Sequence, residues 1–484
     1  MTTFSRVSLL ALIVVAALNV SATAEGESAS LADSISARLK QAEGKRGTAG
    51  CLVVDLDSGK TVASYNQTTL LAPASNMKVL TSAAALCTLG KDFEFVTRVF
   101  SRGDVKEGTL SGDLCIVGGG DPNISGRFYE GDCLKLFKDW AAKLKQAGII
   151  KVGGDLLYDS TLFGGPAFCE GWPKDDQYVN WYCAEVSALA FNDNCVGIKV
   201  LPGKEGETGK IELSPATSYV KVVNQTKTIA GKGAVAVGIM RPRDANTFTV
   251  KGTVPEKSTW GYTDDSTVTD PALYAATVFK ETLEACGIAV AGKISPFTMT
   301  SDELIKFTSR VEHRAKFTDA LKPVNTNSQN LHAEMLFRHV GLAYAGKGSF
   351  KTGEAGVMDF LSKQEIDHEG VVILDGSGLS AGNRVTARLM TEVLKLMARR
   401  EDREVFKSSL AVGGETGTLD KRMKDKLLKG RVFAKTGYID GVHALSGYLD
   451  AGTRHYAFSM LMTDCGDAKD AMDDILLMLA KAAG

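Results

Sequence analysis

The chain has 484 residues, 44% of them hydrophobic and 23% charged, and a formal net charge of -1. That balance describes a globular protein with a sizeable core and excludes a disordered chain, while the length allows two or three domains. The near-zero net charge removes the electrostatic ground for nucleic acid or an anionic membrane surface as a partner.

Taken in chain order, Arg6 precedes an apolar run from Val7 to Val20, and Ala22-Thr23-Ala24 forms a small-x-small pattern before Glu25. This predicts a secretory signal peptide over residues 1–24 and a periplasmic or otherwise extracytoplasmic destination. No later run reaches membrane-spanning length. Nine cysteines (51, 87, 115, 133, 169, 183, 195, 286 and 465) suit an exported chain, but the odd count leaves at least one outside any internal pairing. With no Cys-x-x-Cys pair, no metal and no cofactor are expected, and Cys51, Cys87 and Cys115 read as small buried hydrophobes.

Leu31 to Glu43 repeats apolar residues at helical spacing. Two β-rich runs flank Asp57-Ser58-Gly59, a hairpin signal. A helix then follows Pro73 and stops at Gly90, residues suited to a helix start and end. From about Asp92 the texture becomes short β-like runs divided by Gly and Asp, interrupted by one amphipathic helix in "GDCLKLFKDWAAKLKQAG". Past "DPALYAATVFKETLEACG" long helical patterns return. The chain closes with two strands joined at Ala451-Gly452-Thr453 and a final helix. This predicts an α/β (α+β) domain built from both chain ends, residues 25–91 and 280–484, around a β-rich insertion over 92–279.

Ser75-Asn76-Met77-Lys78 puts a lysine amine on the same helix face as a serine hydroxyl, because positions three apart share a face. A buried amine can take the proton of a serine that is otherwise a weak nucleophile. So short a motif recurs by chance. The second copy, Ser218 to Lys221, lies in a β-patterned run where residues three apart point to opposite faces, so it reads as a decoy.

Ser328-Gln329-Asn330 opens a helical pattern. Its hydroxyl could relay a proton and its amide could steady Lys78, whereas a plain structural role would be helix N-capping. Lys435-Thr436-Gly437 precedes the closing strands, where a strand edge could bind an extended peptide and the lysine and threonine its carboxylate. The identical tripeptide at Lys351 leads into a helical run and reads as solvated. His332, Glu334 and His339 lack metal-site spacing and read as packing, "VGGGDPN" (117–123) lacks the residues of a phosphate loop, and Asp375-Gly376-Ser377-Gly378 reads as a turn. His443 has no role assigned.

The three motifs in this order resemble the penicillin-recognising serine enzymes, and more narrowly the class C, low-molecular-mass penicillin-binding proteins of the penicillin-binding protein 4 type. The likeness extends through "VGGGDPN", "SALAFNDNCVGIKVLPG", "NSQNLHAEML", "DGSGLSAGNRVT" and "GGETGTLDKRM". The resemblance implies a serine transpeptidase/β-lactamase-like fold and a D-alanyl-D-alanine carboxypeptidase, with D,D-endopeptidase action as an extension. It implies peptidoglycan stem peptides as substrates and β-lactams as acylating inhibitors. Carried over, Ser75 is the nucleophile, Lys78 its base and Ser328 a proton relay. Asn330, Lys435, Thr436 and Gly437 bind substrate, and the backbone amides of Ser75 and Tyr438 form the oxyanion hole.

Two features depart from the family pattern. Tyr438 stands where relatives carry a small hydroxyl residue, so its bulk is expected to reshape the pocket. In the insertion, Asp176 and Tyr182 are the nearest candidates for contacts to the substrate's side-chain amine, with slightly altered spacing. Within the same fold, the rival activities are a β-lactamase or a D-aminopeptidase/esterase. A catalytically silent penicillin-binding scaffold would lack the full set of motif residues present here.

Overall fold

Asp55 closes the first hairpin by accepting hydrogen bonds from the backbone of Asp57 and Ser58 and from the Ser58 hydroxyl, at 2.8–3.0 Å. Gly59, at φ 72°, takes the left-handed step that the turn requires. The two strands so joined, Thr48–Asp55 and Thr61–Tyr65, are the end of a six-stranded antiparallel sheet. The other strands come from the far end of the chain. Across the sheet the order is Ala411–Val412, Val432–Ile439, Val442–Ala451, Arg454–Thr463, Thr48–Asp55, Thr61–Tyr65. The computed structural model describes residues 31–174 and 176–483, so the signal peptide expected over 1–24 lies outside the described residues.

Alternation along these strands gives the sheet two apolar faces. One is covered by the helix of residues 31–43 and by Ala468–Ala482, which pack Ile35, Leu39, Ile475 and Leu479 against Leu445, Phe458 and Met460. The other face meets a layer of five helices: Met77–Leu89, Phe317–Asn325, Asn330–Ala345, Phe350–Lys363 and Ala387–Arg399. Met77–Leu89 is buried from Met77 through Leu86. A helix apolar on every side belongs in the middle of a core, and this one carries Lys78 into it.

The inserted segment leaves at Glu94 and has its own core around Phe137, Trp140, Phe191 and Phe279. That core lies between small sheets and the helices Lys135–Gln146 and Pro271–Ala285. The expected return at residue 280 falls inside the second of these helices. Further strands belong to the insertion: Ile294–Pro296 pairs with Leu156–Asp159, and Thr308–Lys316 pairs with Glu94–Ser101. The chain therefore returns to the main helical layer at Phe317. Thr308–Lys316 escapes a reading of hydrophobic pattern because it alternates charged residues and buries only Val311.

All nine cysteines are unpaired thiols. Burial pushes the Cys51 and Cys115 thiols up to about 12, as expected of small core residues with no reactive thiolate.

Candidate active site

Ser75 lies in a single 3-10 turn, Ala74–Asn76, immediately ahead of the buried helix. Ala74 adopts a left-handed backbone at φ 45°, and Ser328 does likewise at φ 63°. Such conformations in residues with a side chain cost energy and gather where geometry is over-determined by its surroundings. Both serines are half-buried, whereas the two lysines beside them have no exposed surface.

Lys78 Nζ lies 2.9 Å from Ser75 Oγ and donates to Asn330 Oδ1 and to the Ser377 carbonyl, both at 2.7 Å. Three partners saturate an ammonium. Burial brings this amine down to about 7, opposed by Glu334 and Asp375. At neutral pH an appreciable fraction is thus a free amine able to accept a proton, which an exposed lysine would not offer.

Lys435 Nζ forms a second pair, 3.0 Å from Ser328 Oγ and 2.7 Å from the Thr436 carbonyl. Burial, and then the nearby Lys78, hold it well below the ordinary lysine range. The helix after Ser328 begins at Asn330 with Gln329 as its cap residue and no side-chain cap bond, so Ser328 is not a helix cap. Its hydroxyl is turned to Lys435 instead. Asn330 bridges the layers, since its amide donates to the Tyr182 carbonyl at 2.8 Å while its oxygen holds Lys78.

The strand Val432–Ile439 is tied to the Ser75 turn at two points. Asn76 Nδ2 donates to the Lys435 carbonyl at 2.9 Å. At Gly437, an added Cβ would lie 2.6 Å from the Pro73 carbonyl oxygen and 3.1 Å from the Asn76 nitrogen, so only glycine permits this approach. On its outer side the strand is paired only at Phe433 and Ala434, leaving 435–439 without a strand neighbour. Thr436 Oγ1 bonds Thr418 Oγ1 at 2.8 Å.

Tyr438 differs from the sequence reading. Its side chain is 62% exposed, its ring lies 5.1 Å from His443, and the Lys469 ammonium stands 5.4 Å from its centroid. On the strand it lies opposite Lys435 and Gly437 and on the same side as Thr436, and its ring is carried to Lys469 at the start of the C-terminal helix. Tyr438→Ala is therefore expected to change the rate of serine acylation by no more than about threefold, as for a surface substitution outside the chemistry. Stopped-flow acylation kinetics checks this, and a loss of tenfold or more would place the ring in the pocket.

Tyr182 lies on the turn Trp181–Cys183 and reaches the site through its backbone carbonyl; its phenol bonds Asn180 and Gln177. Asp176 opens the adjoining turn Asp176–Val179. The decoys are elsewhere: Lys351 is exposed on its helix, and Ser218 Oγ bonds Glu281. His332 and His339 are buried, with burial pulling both down to about 4.

The sequence reading missed Asn76 and the buried turn Asp375–Gly378. That turn delivers the Ser377 carbonyl to Lys78, and its Gly376 carbonyl accepts from Thr81 Oγ1 at 2.7 Å. The signal for Asn76 was its place inside Ser-x-x-Lys, one residue beyond the serine.

Two serine–lysine pairs, Ser75 with Lys78 at the head of a central helix and Ser328 with Lys435 of an open-edged strand, place the chain among the penicillin-recognising serine enzymes. The chain belongs to the D-Ala-D-Ala carboxypeptidase 3 (S13) family, whose model matches residues 31–482. It is 34% identical over 474 residues to the D-alanyl-D-alanine carboxypeptidase of Actinomadura sp. (strain R39), covering 94% of this chain and 85% of that one. It is 30% identical to D-alanyl-D-alanine carboxypeptidase DacB of Haemophilus influenzae, covering 83% and 82%. The crystal structure of penicillin binding protein 4 (dacB) from Haemophilus influenzae superposes with a TM-score of 0.79 at 26% identity, over 92% of this chain and 98% of that one, and a second structure holds a β-lactam.

Proposed function

We propose that the protein hydrolyses the terminal D-Ala-D-Ala bond of peptidoglycan stem peptides through an acyl-enzyme on Ser75, and that β-lactams acylate the same serine. The observation that carries this reading is Lys78 Nζ, wholly buried and 2.9 Å from Ser75 Oγ. Ser75 Oγ attacks the carbonyl carbon of the penultimate D-alanine while its proton passes to Lys78 Nζ. The C–N bond breaks as the proton held by Lys78 is relayed through the Ser328 hydroxyl to the leaving amine, which frees D-alanine and returns Lys78 to the neutral amine. Water then attacks the ester carbonyl, giving a proton to Lys78, and Lys78 passes it to Ser75 Oγ as the ester C–O bond breaks, so the shortened peptide leaves with Ser75 restored.

Lys435 is placed to meet the terminal carboxylate with Thr436, and the unpaired strand edge 435–439 supplies peptide groups to an extended substrate. Tyr182, on the turn that borders Asn330, and Asp176, on the adjoining turn, are assigned to the substrate's side-chain amine. Residues 1–24 direct export to the compartment that holds this substrate, and N-terminal sequencing of the secreted form should read from Glu25.

The test is incubation with a linear stem pentapeptide and with a cross-linked muropeptide. Release of D-alanine from the pentapeptide is expected, and cleavage of the cross-link would add the endopeptidase action that the resemblance implies. Rapid turnover of penicillin without D-alanine release would instead make the protein a β-lactamase.

A further inference from the structure

Glu334 stands one helical turn after Asn330, on the same face of Asn330–Ala345. It is wholly buried and accepts hydrogen bonds from the backbone of Gly376 at 3.0 Å and Ser377 at 2.7 Å. The opposite side of this turn is fixed to the nucleophile's own helix. Thr81 Oγ1 donates to the Gly376 carbonyl, and Gly378, at φ 80°, lies so close that a Cβ there would be 1.8 Å from the Ala74 carbonyl oxygen. Clamped between Glu334 and the Ser75 helix, the turn can present the Ser377 carbonyl to Lys78 in one place only.

The charged groups around this point are few. Lys78 faces Glu334 and Asp375, and Lys435 feels Lys78. Arg338 and the Cys169 thiol lie within reach of Glu334. Asp375 is taken up by the backbone of Gly378 and Ser380, by Asn383 Nδ2 and by Trp172 Nε1. Arg338 is turned to the carbonyls of Gly164 and Pro166. Glu334 is thus the group whose hydrogen bonds run directly to the residue that holds Lys78; burial, and then Asp375, push its own carboxyl well above the usual carboxylate range.

We propose that Glu334 is a positioning residue for the acylation reaction: by accepting from the Gly376 and Ser377 amides it fixes the turn so that the Ser377 carbonyl meets Lys78 beside Ser75. The inference rests on Lys78 acting as the base for Ser75.

The experiment separates the limiting rate of Ser75 acylation by a penicillin from the dissociation constant of the complex that precedes it, for the parent chain, Glu334→Gln, Glu334→Asp and Ser75→Ala. In Glu334→Gln the limiting rate is expected to fall about tenfold from the loosened turn, with the dissociation constant within about twofold of the parent's. Glu334→Asp keeps both acceptor oxygens on a shorter arm and should lose less of the rate. A limiting rate in Glu334→Gln within about twofold of the parent's, or a loss carried by the dissociation constant, overturns the proposal. If Glu334→Gln does not fold, the aspartate variant decides by the same split. Ser75→Ala separates the two levels: acylation persisting there would remove the proposed nucleophile itself, whereas its loss beside an unchanged limiting rate in the Glu334 variants would remove only Glu334's role.

Discussion

Ser75→Ala protein is expected to release D-alanine at least ~10⁴-fold more slowly than the parent, since removing the nucleophile of a serine acyl-transfer site leaves only binding and electrostatic stabilisation. The substitution should leave the fold intact. Ser75 is half-buried, and Lys78 keeps two of its three partners, Asn330 Oδ1 and the Ser377 carbonyl. A melting temperature equal to the parent's, with turnover absent, assigns the loss to chemistry. Turnover within tenfold of the parent would mean that another group attacks the peptide.

Lys78→Met is expected to lower acylation by about 10³- to 10⁴-fold, at the upper end of what one general base contributes. The pH dependence carries the sharper signature. In the parent, acylation rises with pH through about 7, because the reactive form of Lys78 is the neutral amine. The methionine variant loses this acid limb. It also leaves Asn330 Oδ1 and the Ser377 carbonyl without their donor, at about 1–3 kcal/mol for each stranded group, so its stability must be measured alongside. A residual acid limb near pH 7 in that variant would mean that the titrating base is not Lys78.

Much of this was legible before any coordinates. Hydrophobic period and glycine punctuation marked the first hairpin, the Ser75 helix ending at Gly90 and the closing strands, because those elements bury a regular face against one sheet. Choosing between two Lys-Thr-Gly copies was possible because a strand and a helix leave different residue patterns, and the structure places Lys435 in the sheet and Lys351 in a helix. The end of the insertion was not legible: Thr308–Lys316 is a strand through pairing with Glu94–Ser101, and partners distant in sequence leave no local pattern.

The same reason hid the buried turn. Asp375-Gly376-Ser377-Gly378 looks like any turn, and Glu334 like any polar residue in an amphipathic helix. Their importance lies in meeting Lys78, which comes from three segments folding onto one point. Tyr438 shows the converse. Its neighbours in sequence are site residues, but its exposed ring packs against His443 and Lys469.

The central claim, that Ser75 is acylated with Lys78 as its base, is tested most directly by peptide mapping of the protein after brief reaction with penicillin at pH 8. The mass of one penicillin is expected on the peptide that contains Ser75, with none on peptides containing Ser218 or Ser328, and with no adduct on Ser75→Ala protein. An adduct on any other serine, or undiminished labelling of Ser75→Ala, would contradict it.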